Sequence, residues 1–250
     1  RLLAGVKAPI QCWPIAVERV RYVGEPVAAV VAADRYVAED ALDLIEVDYE
    51  PLAAVVHSRD ALDPTSAVLH EGLGCNIASD RSFRYGDPEA AFAAAAHRIA
   101  VDVHYPRNSC TPIETYGVVA DYDPGEDAYD VLATFQGPFS IHPVLARALK
   151  VPGNRLRLRT PPDSGGSFGV KQGVFPYIAL MGIAARVAGR PVKWIEDRLE
   201  HLTASVSATS RTIRLEAAVT AEGRVTALAW GQGEDVGWRI RASEPATCYR

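Results

Sequence analysis

The stretch from Phe175 to Val187 is apolar enough for a buried helix, and Gly189-Arg190-Pro191 stops it. A helix without a polar face has to be enclosed by other elements, and the text on both sides supplies them. Arg155–Thr160 alternates as a strand before it, and Val192–Ile195 resumes as one after it. Further strands are expected at Ile99–Val103, Gly117–Asp123 and Tyr129–Phe135, the last two joined by the turn Asp123-Pro124-Gly125-Glu126. A hairpin follows at Thr212–Thr220 and Val225–Gln232 about the turn Ala221-Glu222-Gly223. Helices are expected over Arg35–Ile45 behind the cap Asp34, over Glu89–Ala96 behind Asp87 and Pro88, and over His142–Lys150. Near the start, Val27–Ala32 reads as a buried strand and Glu46–Glu50 as a half-exposed one, so the first helix would sit in a β-α-β unit. The class is α+β, with helices packed on mixed sheets.

Composition removes several functional classes. With 250 residues, 48% of them hydrophobic, and a net charge of only -5, the chain can build a real core and is not disordered. Its mild acidity argues against nucleic-acid or anionic-membrane partners, which select a basic face. No apolar run approaches the roughly 20 residues of a membrane span; Val27–Ala33 is strand-length. The opening residues show no export leader and no initiating methionine, and read as the continuation of something earlier. The four cysteines, Cys12, Cys75, Cys110 and Cys248, form no CxxC pair, and the six histidines form no HxxxH or HExxH. A metal held by protein side chains is therefore not expected. Free thiols suit a reducing, cytoplasmic compartment.

Candidate chemistry centres on the small-residue segment Pro161-Pro162-Asp163-Ser164-Gly165-Gly166-Ser167-Phe168-Gly169-Val170-Lys171, set between a strand and the buried helix. Such a bend lets backbone N–H groups approach an anion or a planar cofactor, and it can equally serve the fold alone. It lacks the residues of a Walker loop or a dinucleotide fingerprint. Gln136 in Thr134-Phe135-Gln136-Gly137-Pro138-Phe139 ends a strand and opens a loop, where its amide could donate to an oxo or carbonyl group or bond a turn. Glu114 reads as a general base or a solvated carboxylate, and Arg198, Glu200 and His201 as a cluster or a charge-braced helix face. Ser109, Cys110 and Ser205 have no base at a fixed spacing, so nucleophilic catalysis has no support.

In order along the chain, the motifs resemble the molybdopterin-binding large subunit of the molybdenum hydroxylases, the family of xanthine dehydrogenase, aldehyde oxidase and aerobic carbon monoxide dehydrogenase. The matching text is Arg21-Tyr22-Val23-Gly24-Glu25-Pro26-Val27-Ala28-Ala29-Val30-Val31-Ala32, Val47-Asp48-Tyr49-Glu50-Pro51-Leu52, Gly86-Asp87-Pro88-Glu89-Ala90-Ala91-Phe92 and Pro112-Ile113-Glu114. Phe135-Gln136-Gly137-Pro138-Phe139, Gly165-Gly166-Ser167-Phe168-Gly169, Gly189-Arg190-Pro191-Val192-Lys193 and Asp235-Val236-Gly237-Trp238 complete it.

The resemblance implies that residues 1–55 are the C-terminal half of an α/β hammerhead domain, 56–85 a connector, and 86–250 a truncated first molybdopterin-binding domain with a mixed sheet. It implies molybdopterin, bare or as the cytosine dinucleotide, holding molybdenum through its dithiolene. Gln136 matches the glutamine that bonds the molybdenum's oxo ligand, and Gly165, Gly166, Ser167, Phe168 and Gly169 match the loop over metal and pterin. Phe139 and Gln172 would line the substrate pocket. The reaction implied inserts a water-derived oxygen into a C–H bond next to nitrogen or oxygen. Electrons would leave through 2Fe–2S clusters to FAD on partner subunits, within a dimer of the assembled complex that also needs the remaining large-subunit domain. Ser167 stands where the family more often has glycine. The family's catalytic glutamate belongs to the second molybdopterin domain and is not in this chain, which alone is expected to be inactive. The rival reading is a non-catalytic scaffold or assembly module of the same fold without cofactor.

Overall fold

The structure, a computed structural model, describes Ile10, residues 12–208 and residues 210–237. Helix α1 (Arg35–Leu42) is capped by Asp34, whose carboxylate accepts the Val37 N–H at 3.0 Å. Helix α2 (Ser58–Ala61) comes next, and α3 (Pro88–Ala93) follows with Asp87 as cap and Pro88 in its first turn. Next come strands β1 (His97–Tyr105), β2 (Gly117–Asp123) and β3 (Ala128–Ala133). Helix α4 (Pro138–Ala148), strand β4 (Leu156–Arg159), helix α5 (Phe175–Ala188), strand β5 (Val192–Ile195) and helix α6 (Arg198–Ala204) continue the chain. The hairpin of β6 (Ser210–Val219) and β7 (Val225–Asp235) completes the described elements. They form two compact units: residues 12–52 with Ser109–Ser207, and Ile10 and Ala53–Asn108 with the described residues from Ala208 onward. Among the described residues, no helix is long and apolar enough to cross a membrane.

The first unit is built on a four-stranded sheet of order β4-β3-β2-β5. Strand β2 runs antiparallel to β3 and β5, and β4 runs parallel to β3, so the sheet is mixed. Val118 and Ala120 of β2 lie opposite Ala133 and Val131 of β3, and all four are buried. Helix α4 contributes Ile141, Leu145 and Ala146 to this core, and α5 contributes Ile178, Ala179 and Ala185. Tyr177 stacks on Trp194 at 4.7 Å, fastening α5 to β5. Helix α4 starts at Pro138, before the expected His142, because Gly137 takes φ 68 and Pro138 fills a first turn that needs no N–H.

In the second unit, β1-β6-β7 form an antiparallel sheet. The Arg98 guanidinium donates to the Phe92 carbonyl at 2.8 Å, which puts α3 on the face carrying Arg98 and the buried Ala218. The opposite face carries Ile99, Val101 and Val103 on β1, with Leu228 and Trp230 on β7, all exposed.

The N-terminal expectation needs correcting. Helix α1 forms, but neither Val27–Ala32 nor Glu46–Glu50 is a strand; Val31 is 49% exposed and Val47 45%. An apolar run becomes a strand only where a neighbour takes its N–H and C=O groups, and among the described residues no neighbour pairs with either segment. The turn before them is nevertheless anchored. Gly24, at φ +96, lies against the end of α6, where a Cβ would come within 2.7 Å of the Thr203 carbonyl.

Candidate functional site

Strands β3, β4 and β5 run the same way and end at Ala133, Arg159 and Ile195, while β2 starts beside those ends at Gly117. Residues 112–116, 134–137, 160–174 and 196–201 therefore gather at the carboxyl end of three strands, a position where open sheets seat ligands.

The glycine bend occupies this end. Gly166 (φ 98) and Gly169 (φ 91) hold left-handed conformations, and Phe168 adopts one at φ 50 without being glycine. Gly165 allows no side chain, because a Cβ there would stand 2.5 Å from the Glu114 Cβ. After Gly169 the chain winds through the 3-10 turn Val170–Val174 into α5, with the Val170 N–H on the Ser167 carbonyl at 3.0 Å.

Gln136 meets this bend directly: the Ser167 hydroxyl donates to its Oε1. Ser167 Oγ in turn accepts the Lys171 N–H at 3.2 Å. The Gln172 side chain lies beside the same loop, its Nε2 3.3 Å from where Gly137 would carry a Cβ. Phe168 and Phe139 present their rings to solvent, 78% and 94% exposed, Phe139 from the first turn of α4. The structure thus joins Gln136, Ser167 and Gln172 across two loops and sets Phe139 at the edge of one of them.

Behind the bend lies a pair that the sequence did not reveal. The Lys171 ammonium is buried and ion-paired with Glu114 Oε2, which also accepts the Gly165 N–H at 3.2 Å. Burial pushes the Lys171 ammonium below its ordinary value. Glu114 is accordingly a partner for a buried cation, not a free general base. The available signal was Lys171 itself, a charge written beside Val170, Val174 and Phe175, which a core accepts only with a counter-charge.

The Arg198–Glu200–His201 group is also organised differently from a helix face braced by charges. Asp197 and Glu200 form a reciprocal capping box at the start of α6. Arg198 donates to the Ile113 carbonyl at 2.7 Å. His201 Nδ1 lies 2.7 Å from Glu196 Oε2, and both side chains are buried. Glu196 also accepts the Tyr116 N–H at 3.0 Å, and the Tyr116 hydroxyl donates to the Val170 carbonyl at 2.7 Å, tying this pair to the bend. Burial pushes the Glu196 carboxyl up, against the Tyr116 N–H and His201, which favour its charged form.

Backbone amides of a small-residue bend, a carboxamide and an exposed phenyl ring suit a planar, oxygen-rich organic group. Among the described residues, no three His, Cys, Asp or Glu side chains are grouped to hold a metal ion.

A cofactor-binding domain on a mixed sheet is the class this arrangement defines, and the comparisons name it. Residues 69–249 match the molybdopterin cofactor-binding domain, and residues 5–53 match the a/b hammerhead domain of aldehyde oxidase and xanthine dehydrogenase. The chain belongs to the molybdenum hydroxylase large-subunit family. It is 38% identical over 235 residues to 6-hydroxypseudooxynicotine dehydrogenase complex subunit gamma of Paenarthrobacter nicotinovorans, covering 92% of this chain and 29% of that one. It is 33% identical over 227 residues to the carbon monoxide dehydrogenase large chain of Hydrogenophaga pseudoflava, covering 86% and 28%. Quinoline 2-oxidoreductase from Pseudomonas putida 86 superposes with a TM-score of 0.83 at 33% identity, over 92% of this chain and 29% of that one. The chain spans less than a third of the length of these relatives. Trp238, the last residue of the Asp235 motif, lies outside the described residues.

Proposed function

We propose that this chain is part of the catalytic large subunit of a molybdenum hydroxylase. Residues 1–55 end a hammerhead domain, 56–85 connect, and 86–250 belong to the first molybdopterin-binding domain. Gln136, Gly165, Gly166, Ser167, Phe168 and Gly169 hold molybdopterin with molybdenum, as the bare pterin or its cytosine dinucleotide. When bound, that group supplies the redox chemistry: oxidation of a C–H next to nitrogen or oxygen with water-derived oxygen, the electrons passing to 2Fe–2S clusters and FAD.

The chain's own residues bind, orient and exclude water. Amides of the bend approach the ligand where glycines leave no side chain in the way. The Gln136 carboxamide donates to the ligand from the facing loop. Phe168 covers it with an apolar ring, while Phe139 and Gln172 stand toward substrate. The names of the relatives support a small substrate, an N-heteroaromatic compound or carbon monoxide. Names such as "complex subunit gamma" and "large chain" support an assembly with other subunits; in this reading those subunits carry the Fe–S clusters and FAD, and the assembled unit is a dimer. The free thiols of Cys75 and Cys110 support a cytoplasmic setting.

The observation that supports this reading is the hydrogen bond from Ser167 to Gln136, which brings the bend and the carboxamide together at one end of the sheet. In the assembled holoenzyme, Gln136→Ala is expected to lower the rate by about a hundred- to a thousandfold, the scale of one lost donor in a preorganised site. Unchanged molybdenum content, spectrum and rate would remove Gln136 from the site. A folded complex that releases neither pterin on acid treatment nor molybdenum would favour a scaffold.

A further inference from the structure

Ser167 and Gln136 form a directed chain of hydrogen bonds, and the direction matters for what the carboxamide can do. The Lys171 side chain is buried and paired with Glu114, which fixes the Lys171 backbone beneath the bend. Its N–H donates to Ser167 Oγ at 3.2 Å, so one lone pair of the hydroxyl is engaged. The hydroxyl has a single proton, and it goes to Gln136 Oε1. Turning the carboxamide over would set Nε2 against Ser167 and leave that proton without its acceptor; among the described residues no other acceptor takes it.

We infer that Ser167 is a positioning residue that fixes the orientation of the Gln136 carboxamide, so that Nε2 is presented to the bound molybdenum cofactor as a hydrogen-bond donor. The inference rests on the reading of Gln136 given above and goes beyond it, since it assigns the hydroxyl a role that a glycine at this position cannot have. The carbonyl oxygen is occupied by the protein, and the site offers the ligand donors from both loops. Without the hydroxyl the amide is free to present either end, and a donor becomes an acceptor for part of the time.

The test compares the assembled wild-type holoenzyme with Ser167→Ala, Ser167→Thr and Gln136→Ala. Bound molybdenum and acid-released pterin, the visible and EPR signatures of the molybdenum, kcat and KM are measured for each. Ser167→Ala is expected to keep the cofactor, to shift the molybdenum signature in the direction of Gln136→Ala, and to lower kcat about three- to tenfold with KM within about twofold. Ser167→Thr, which restores a hydroxyl, should return the signature and most of kcat. If Gln136→Ala changes the signature and Ser167→Ala does not, the positioning role falls and the reading of Gln136 stands. If neither variant changes it, the reading of Gln136 falls and takes this inference with it. Loss of cofactor in Ser167→Ala, or failure of threonine to rescue, would overturn the inference by making the hydroxyl a merely structural part of the bend.

Discussion

The two sheets of this chain are written in the same alternating text and meet different ends. In β2 and β3 every second residue disappears into a core closed by α4 and α5, and Val118, Ala120 and Val131 retain no exposure. In β1 the alternation is just as regular, yet Ile99, Val101 and Val103 remain 53%, 47% and 46% exposed. Alternation decides which side chains share a face, and the cover comes from elements written elsewhere. The candidate site stands on the covered sheet. Loops that hold a ligand at fixed distances depend on anchors with little local opening, which a closed core supplies and a half-open sheet does not.

The contrast predicts unequal tolerance to truncation. Leu145→Ala, in the closed core, should cost about 2–5 kcal/mol through lost burial and the cavity left behind. Val101→Ala, on the exposed face, should stay within about 0.5 kcal/mol. Denaturant titration of the assembled protein measures both. Comparable losses would break the comparison, by showing that the β1 face is covered once the protein is assembled.

The same distinction marks what the sequence made legible. Strands and helices followed from local periodicity, with ends a few residues long: α1 stops at Leu42, not Ile45, and β3 at Ala133, not Phe135. The Val27–Ala32 strand failed because pairing is not a local property. For Gln136 and the glycine bend, the residues alone left a turn or fold-only role open, and only the ordered set of motifs singled them out; that the two segments meet, through Ser167, shows in the fold and not in the text. The Lys171–Glu114 pair was not, since its members lie 57 positions apart and meet only through the sheet. Glu196 and His201 are only five apart, yet their burial depends on Tyr116, far upstream.

Two glycines sharpen the comparison at the level of single atoms. Gly165→Ala fails for lack of space: the new Cβ would stand 2.5 Å from the Glu114 Cβ, so the bend must move at a cost of about 1–3 kcal/mol. Gly223, in the β6–β7 turn, has nothing within 4 Å but sits at φ +83, so Gly223→Ala costs only the backbone strain, about 1 kcal/mol. Bound pterin should drop in the first variant and hold in the second. Equal pterin content in both would mean that the bend relaxes without disturbing the cofactor.

The smallest expected effect is a slope. Burial is the largest influence on Glu196 and raises its carboxyl above the ordinary 4.5. Between 4.5 and that raised value the folded protein holds more of this proton than the unfolded chain does. Stability from this group is therefore present below the window and is lost as pH rises through it, by no more than about 1.4 kcal/mol per pH unit. Lys171 acts with the opposite sign and elsewhere: its lowered value makes stability rise with pH in an alkaline window that ends at the ordinary 10.5. Glu196→Gln keeps an acceptor for the Tyr116 N–H while removing the titration, so a plot of melting temperature against pH should flatten in the acid window and stay unchanged in the alkaline one. A wild-type slope that survives the substitution would mean that the acid-side titration belongs to other carboxylates, and that the closed core tolerates the charge on Glu196 as readily as the half-open sheet tolerates its exposed Asp102–Arg214 pair.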